Sequence, residues 1–305
     1  MQLERRMLTV NAAEIAARLG NHRQEGAYWR CRCPVHGGIS LTLGDGPKGR
    51  LFIRCWCGCR RDAVVAALLR HGLTTSDLTK IVPETPAERA IREAAEAQSR
   101  AYRAACARDL WAQSHSAAGT IVETYLWSRL LTMPVPPAVR LIGRQRHRES
   151  GGEWPAMICR VDHVQHGLVA VHLTYLNPFD PAAGVNLDPR KRCVGPIKGA
   201  AVQLAPAAPR MAVAEGIENA LSVMIGWEMP SWAALSANGI AQLVLPPVDS
   251  GLGCDIVIAA DADAPGLIGA RRAGRRWQAE GRTVCIATPG RGVDFDFNDL
   301  LIASL

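Results

Sequence analysis

The chain has 305 residues, of which 48% are hydrophobic, enough for two or three domains with buried cores. Neither a signal peptide nor a transmembrane run is present, so secreted and membrane classes are set aside and a reducing cytosol is expected. The net charge of +7 is unevenly spread: residues 1–78 carry +6, residues 79–200 carry +5 and residues 201–305 carry −4. That division is expected if basic flanking parts hold a polyanion while the acids hold metal.

In chain order, Asn11-Ala12-Ala13-Glu14 has the form of a capping box and predicts a helix through Leu19, closed by Gly20. Cys31, Cys33, His36, Cys55, Cys57 and Cys59 then fall within thirty residues and hold half of the ten cysteines. Cys33-Pro34-Val35-His36 is a CxxH knuckle, and Cys55-Trp56-Cys57-Gly58-Cys59 supplies a second ligand pair. Two such pairs suit tetrahedral Zn2+, but spacing leaves open which four of the six residues bind it. Between them, Ile39–Leu43 and Leu51–Arg54 flank the turn-rich Gly44-Asp45-Gly46-Pro47 and predict a hairpin. Cys106, Cys159, Cys193, Cys254 and Cys285 are scattered and read as small core residues.

A helix is expected from Asp62 to Leu69, ending at His71-Gly72. Thr85-Pro86-Ala87-Glu88 opens another, an Ala-, Glu- and Arg-rich solvated connector reaching His115. Residues 120–130 read as helix, and Ala156–Val161 and Leu168–Leu176 as paired strands around the polar loop 162–167.

Met211–Ala214 and Asp255–Ala260 are short buried-strand patterns, each followed by a helical one, with further strands at Trp232–Leu235 and Thr283–Ala287. The β-α-β-α-β succession predicts a mostly parallel sheet. Glu215 ends the first of these strands, and Asp261 and Asp263 follow the second, at the edge where ligands of open parallel sheets collect. An Asp at a strand end also reads as a helix cap. Converging carboxylates repel one another unless a cation such as Mg2+ neutralises them, which points to phosphoryl or nucleotidyl transfer.

These motifs resemble bacterial and mobile-element (phage or plasmid) DNA primases, which have a zinc-binding module and a Toprim catalytic domain. Ala214–Leu221 and Asp261–Gly266 are similar to the Toprim signature, Tyr125-Leu126-Trp127-Ser128-Arg129 to the YLxxR segment, and Pro196-Ile197-Lys198-Gly199 to the basic KG element. Asp294–Leu301 resembles the DxND ending of plasmid and phage Toprim primases. The resemblance covers nearly the whole chain. It implies an α/β Toprim domain at 205–305, a mixed α+β primase-core subdomain at 119–204, a helical connector at 79–118 and a zinc-ribbon-like, template-binding module at 1–78.

The second knuckle of the mobile-element branch usually reads CxxGC, so the resemblance implies Cys33, His36, Cys55 and Cys59 as ligands and Cys57 as a substituted spacer. Cys57 stays an alternative ligand through its CxC spacing, and Cys31 is the weakest candidate. The resemblance further implies that Glu215, Asp261 and Asp263, joined by Asp296, hold Mg2+ or Mn2+ for nucleotidyl transfer. Arg190, Lys191, Arg192 and Lys198 would meet nucleoside triphosphate or template phosphates. Trp29 and Trp56 are candidate stacking platforms for single-stranded DNA, or else pack against the knuckles. Replicative primases have Tyr-Met-Asp after Glu-Gly where this chain has Ile217-Glu218-Asn219, which leaves the role of Glu218 open. No GxxxxGK[ST] loop occurs, so a separate helicase is the expected partner. Two further readings remain: a Toprim DNA clamp without chemistry, and a Toprim nuclease.

Overall fold

Asn11 begins the first helix, α1 (Ala12–Leu19), with the reciprocal hydrogen bonds of a capping box shared with Glu14. The computed structural model describes residues 11–46, 51–73, 86–290 and 295–304. Thr85 of the expected cap, Pro47 of the expected turn and Asp294 of the C-terminal motif lie outside the described residues. The chain divides into two units, Met1–Ile91 and Arg92–Leu305.

In the first unit, strands β1 (Arg23–Glu25), β2 (Tyr28–Cys31), β3 (Leu41–Asp45) and β4 (Leu51–Cys55) form an antiparallel sheet in that order. Strand side chains alternate between faces, so Leu51, Ile53 and Cys55 turn inward while Phe52 and Arg54 face solvent. The inner face packs on α1 and on α2 (Arg61–Arg70) through Ile15, Ala16, Val64 and Leu68. Asp45 fixes the start of α1 by accepting from the Ala12 N–H at 2.9 Å.

The second unit holds two five-stranded sheets. The first is antiparallel, with β5 (His115–Ser116), β6 (Val139–Arg146), β7 (Glu153–His163), β8 (Gly167–Tyr175) and β9 (Lys191–Val194) in sequence order. Helix α3 (Pro86–Ala112) packs Ala107, Leu110 and Trp111 against Ile158, Val171 and Leu173 on one face. Met157, Cys159, Val161 and Ala170 lie on the other face, in a core shared with α4 (Ile121–Ser128) and the second sheet.

That second sheet has the order β10-β12-β11-β13-β14, where β10 is Val202–Gln203, β11 Arg210–Ala214, β12 Ser231–Ala233, β13 Asp255–Ala259 and β14 Thr283–Ala287. All pairings are parallel except that of β10 with β12. Both faces are covered, which is why β11 and β13 read as continuous apolar runs. Ala212, Ala214, Val257 and Ala259 face α5 (Ile217–Gly226) and α8 (Phe297–Ser304). Met211, Val213, Ile256 and Ile258 face α6 (Ala237–Gln242) and α7 (Ala264–Ala279). The architecture is therefore α/β with a mostly parallel sheet, as expected.

The expected connector helix ends at Ala112, three residues short of His115. Strands β1, β2, β6 and β9 and the short helix α6 had no clear pattern: each is brief, or mixes polar and apolar residues on a half-covered face.

Candidate metal centres

Each zinc-module knuckle turns on a glycine in the left-handed region. Gly37 has φ 81° and Gly58 has φ 79°, a conformation that few other residues adopt. The Gly37 N–H returns to the Cys33 carbonyl at 2.8 Å, and the Gly58 N–H to the Cys55 carbonyl at 3.2 Å. These turns bring donor atoms of Cys33, His36, Cys55 and Cys59 within 4.8 Å of one another. It is the one such group among the described residues. Cys31 is buried in the core of the sheet and Cys57 is exposed, both outside the group.

Burial, reinforced by neighbouring sulfurs, pushes the Cys59 thiol up to about 12 and raises Cys33 as well. Burial also opposes the Cys55 thiolate, but hydrogen bonds from Ser40, Cys59 and His36 outweigh it and bring the thiol down to about 6. Three thiols that cannot all ionise side by side, with an imidazole at 3.3 Å from one of them, form a donor set that fits Zn2+.

On the open face of this sheet, Tyr28, Gly44 and Phe52 lie in one cross-strand row, with Arg30, Thr42 and Arg54 in the next. A Cβ on Gly44 would meet the Tyr28 ring at 2.5 Å, so the glycine lets that ring lie flat and approach Phe52 at 5.3 Å. Trp56 shares this face, 43% exposed, with Arg54 4.1 Å from its ring centroid and its N–H bonded to Thr42. Trp29 turns the other way, onto the core and against His22. Of the two tryptophans, only Trp56 faces solvent as a platform.

In the second unit, Glu215 follows β11 and Asp261 lies just past β13, at the carboxyl edge of the parallel sheet. Burial, then the charges of Asp261 and Asp263, raise Glu215 to about 7, against an opposing hydrogen bond from the Ala237 N–H. Asp261 is raised by burial and by Asp263 and Asp296, and is lowered by Asn219. Asp261 thus feels or perturbs each of the other three, while no three of these acids bring ligand atoms within 4.8 Å of one another. Asp263 also caps α7, accepting from the Gly266 N–H at 2.7 Å. Asp296 accepts from the Asp299 N–H at 2.9 Å at the head of α8. Each of these two caps engages Oδ1, so the second carboxylate oxygen of each is left for a ligand. Mutually repelling carboxylates with free oxygens fit a hard, oxygen-seeking divalent cation.

Two asparagines that sequence reasoning passed over brace this edge. Asn219 donates to Asp261 at 3.0 Å, and the Asn298 side chain donates to the Arg129 carbonyl at 2.9 Å and to Ser222 at 3.1 Å. The signal was present in the Asp-x-Asn-Asp tail, but amides do not titrate and attract no notice in a search for charge.

Glu218 stands apart from the acids. It is buried against the antiparallel sheet, where Tyr125 donates to it at 2.8 Å and Lys191 at 3.0 Å. Burial alone would raise its pKa, but the Lys191 charge and these hydrogen bonds bring it down to about 2. The basic run 190–192 splits, since adjacent strand residues face opposite ways. Lys191 meets Glu218, whereas Arg192 lies 3.9 Å from Glu149. Arg190 sits 5.7 Å from the Tyr125 ring centroid, and Lys198 is exposed.

Residues 210–305 match the family model described as Toprim domain. The C-terminal third is a Toprim domain. Residues 101–204 match a domain of unknown function, DUF7146. No curated protein matches the chain. Among solved structures, the chain is similar to the primase fragment of the bacteriophage T7 primase-helicase protein, with 14% identity, a TM-score of 0.37, and 53% of this chain and 61% of that one covered. It is similar to a DNA primase domain from Pseudomonas aeruginosa, with 15% identity, a TM-score of 0.34, and 52% of each chain covered. For the Aquifex aeolicus primase, zinc binding and RNA polymerase domains, the values are 12%, 0.39, and 96% and 80%. The match thus spans about three fifths of the phage fragment and half of the Pseudomonas domain. Among the described residues no helix is long and apolar enough to cross a membrane.

Proposed function

We propose that this chain is a DNA primase that makes short primers on single-stranded DNA by metal-dependent nucleotidyl transfer. The observation that carries this reading is the placement of Glu215, Asp263 and Asp296 about Asp261 at the carboxyl edge of a Toprim sheet, in a chain that also builds a Cys3His site. Those four acids would hold Mg2+ or Mn2+. Bound there, the metal would supply a Lewis acid for a primer 3′-hydroxyl attacking an α-phosphorus and for the departing pyrophosphate.

The remaining roles fall to side chains. Asn219 orients Asp261 through its 3.0 Å hydrogen bond. Lys191, held by Glu218, the exposed Lys198 and Arg190 would neutralise triphosphate or template phosphate, whereas Arg192 turns to Glu149 on the other side of β9. The Cys3His site stiffens a sheet whose open face carries Tyr28, Phe52 and Trp56 between Arg30 and Arg54. Rings and cations interleaved in this way suit single-stranded DNA, with base stacking contributing about 1–3 kcal/mol per base. A helicase on a separate polypeptide would expose the template, and the expected compartment is the cytoplasm.

The test is primer synthesis on mixed-sequence single-stranded DNA with labelled NTPs or dNTPs and Mg2+ or Mn2+, comparing wild type with Asp261→Ala/Asp263→Ala. Short products from wild type alone support the proposal and identify the nucleotide. Strand cutting without synthesis would replace it with a nuclease, and binding without either reaction with a clamp.

A further inference from the structure

Helix α7 has two faces of opposite design. Gly266, Gly269, Ala270, Ala273, Gly274 and Trp277 are buried. A Cβ on Gly269 would meet the Ala237 carbonyl oxygen at 2.4 Å, so the helix lies against α6 at a separation that only glycine permits. At 100° per residue the buried positions centre on one side, and Arg271, Arg272 and Arg275 centre on the side directly opposite. All three are exposed, and among the described residues none has a hydrogen-bond or ion-pair partner. Unpaired cations are out of keeping with this part of the chain, where residues 201–305 carry −4 overall. Glu280, the acid nearest to Arg275 in sequence, bonds Arg282 instead, at 3.1 Å.

We infer that Arg271, Arg272 and Arg275 form a ledge for the sugar-phosphate backbone of a nucleic-acid duplex leaving the acid site. The helix starts at the capping residue Asp263, within that site, and the arginines begin two turns along it. Arg271 to Arg275 spans about 6 Å of helix axis, over which one strand of B-DNA presents about two phosphates. Guanidinium groups suit phosphate through paired hydrogen bonds. A duplex is favoured over a single strand because the ledge has no aromatic ring on which bases could stack; Ile268 is its exposed apolar neighbour. The inference rests on the chain acting on nucleic acid and adds a surface to that reading.

The experiment compares the full chain with Arg271→Gln/Arg272→Gln/Arg275→Gln, substitutions that keep helix propensity and remove charge. Fluorescence anisotropy with a labelled blunt DNA duplex and a labelled single strand is followed across a KCl titration. The expected result is a duplex slope of log K against log[KCl] shallower by about 2–3, near 0.9 per lost phosphate contact, with single-strand binding and melting temperature retained. An unchanged duplex slope would overturn the ledge. So would a loss confined to the single strand, or a loss seen instead on vesicles of anionic lipid. Wild-type chain that binds neither DNA would remove the ledge and the primase reading together, whereas wild-type synthesis with an unchanged slope in the variant would remove the ledge alone.

Discussion

Lys191 Nζ lies 3.0 Å and 3.2 Å from the two carboxylate oxygens of Glu218, a residue of the Toprim helix α5, so the ion pair joins the edge strand of one sheet to a helix covering the other. The same carboxylate accepts from Tyr125 of α4. Glu218 is therefore occupied with a cation of its own, apart from the acids proposed to hold metal. Glu218→Gln should lower stability by about 2 kcal/mol in urea denaturation at pH 7, the scale of hydrogen bonds to a charged group. The pKa of about 2 lies below the ordinary 4.5, so this contribution is present above pH 4.5 and lost as pH falls toward 2. The difference between wild type and variant should shrink across that window.

Glu215 behaves in the opposite sense. With its pKa raised from 4.5 to about 7, the folded metal-free chain favours the protonated acid, and the associated stability is lost as pH rises from 4.5 through 7. Added Mg2+ should therefore raise the melting temperature more at pH 8 than at pH 6. Glu215→Gln should remove most of that difference in a thermal-shift titration.

Asp263 combines a cap with a charge, and the two can be separated. Asp263→Asn keeps a capping oxygen for the Gly266 N–H and should melt close to wild type, yet lose primer synthesis. Asp263→Ala should lose synthesis and about 1 kcal/mol of stability besides.

Zinc content discriminates among the cysteines. Metal analysis of purified protein should find one zinc per chain in wild type, Cys31→Ala and Cys57→Ser. It should find none in Cys33→Ser or Cys59→Ser. A chelator should unfold the four-stranded sheet, since both knuckles depend on the ion.

The parallel sheet was legible because β11 and β13 are buried on both faces and end in acids, a pattern that needs no partner to be read. Cys33, His36, Cys55 and Cys59 assemble as the knuckle spacing and the family resemblance together suggested. Less legible was everything that depends on pairing across long stretches of chain. The role of Glu218 was open from the sequence; the fold sends it to Lys191 and leaves Asn219 to face Asp261. Asn298 reaches Arg129, 169 residues earlier, a contact that no local pattern encodes. Trp29 and Trp56 were indistinguishable until strand register set one inward and the other outward.

The run Arg190-Lys191-Arg192 acquires another meaning from the alternation of β9. If that strand slipped by one residue against β8, Lys191 would turn away from Glu218 and an arginine would take its place, whichever way the slip went. Three consecutive cations would thus keep a positive charge beside this buried carboxylate after a slip of one residue. Length changes in the long segment between β8 and β9 could shift the strand without leaving the negative charge inside the protein alone.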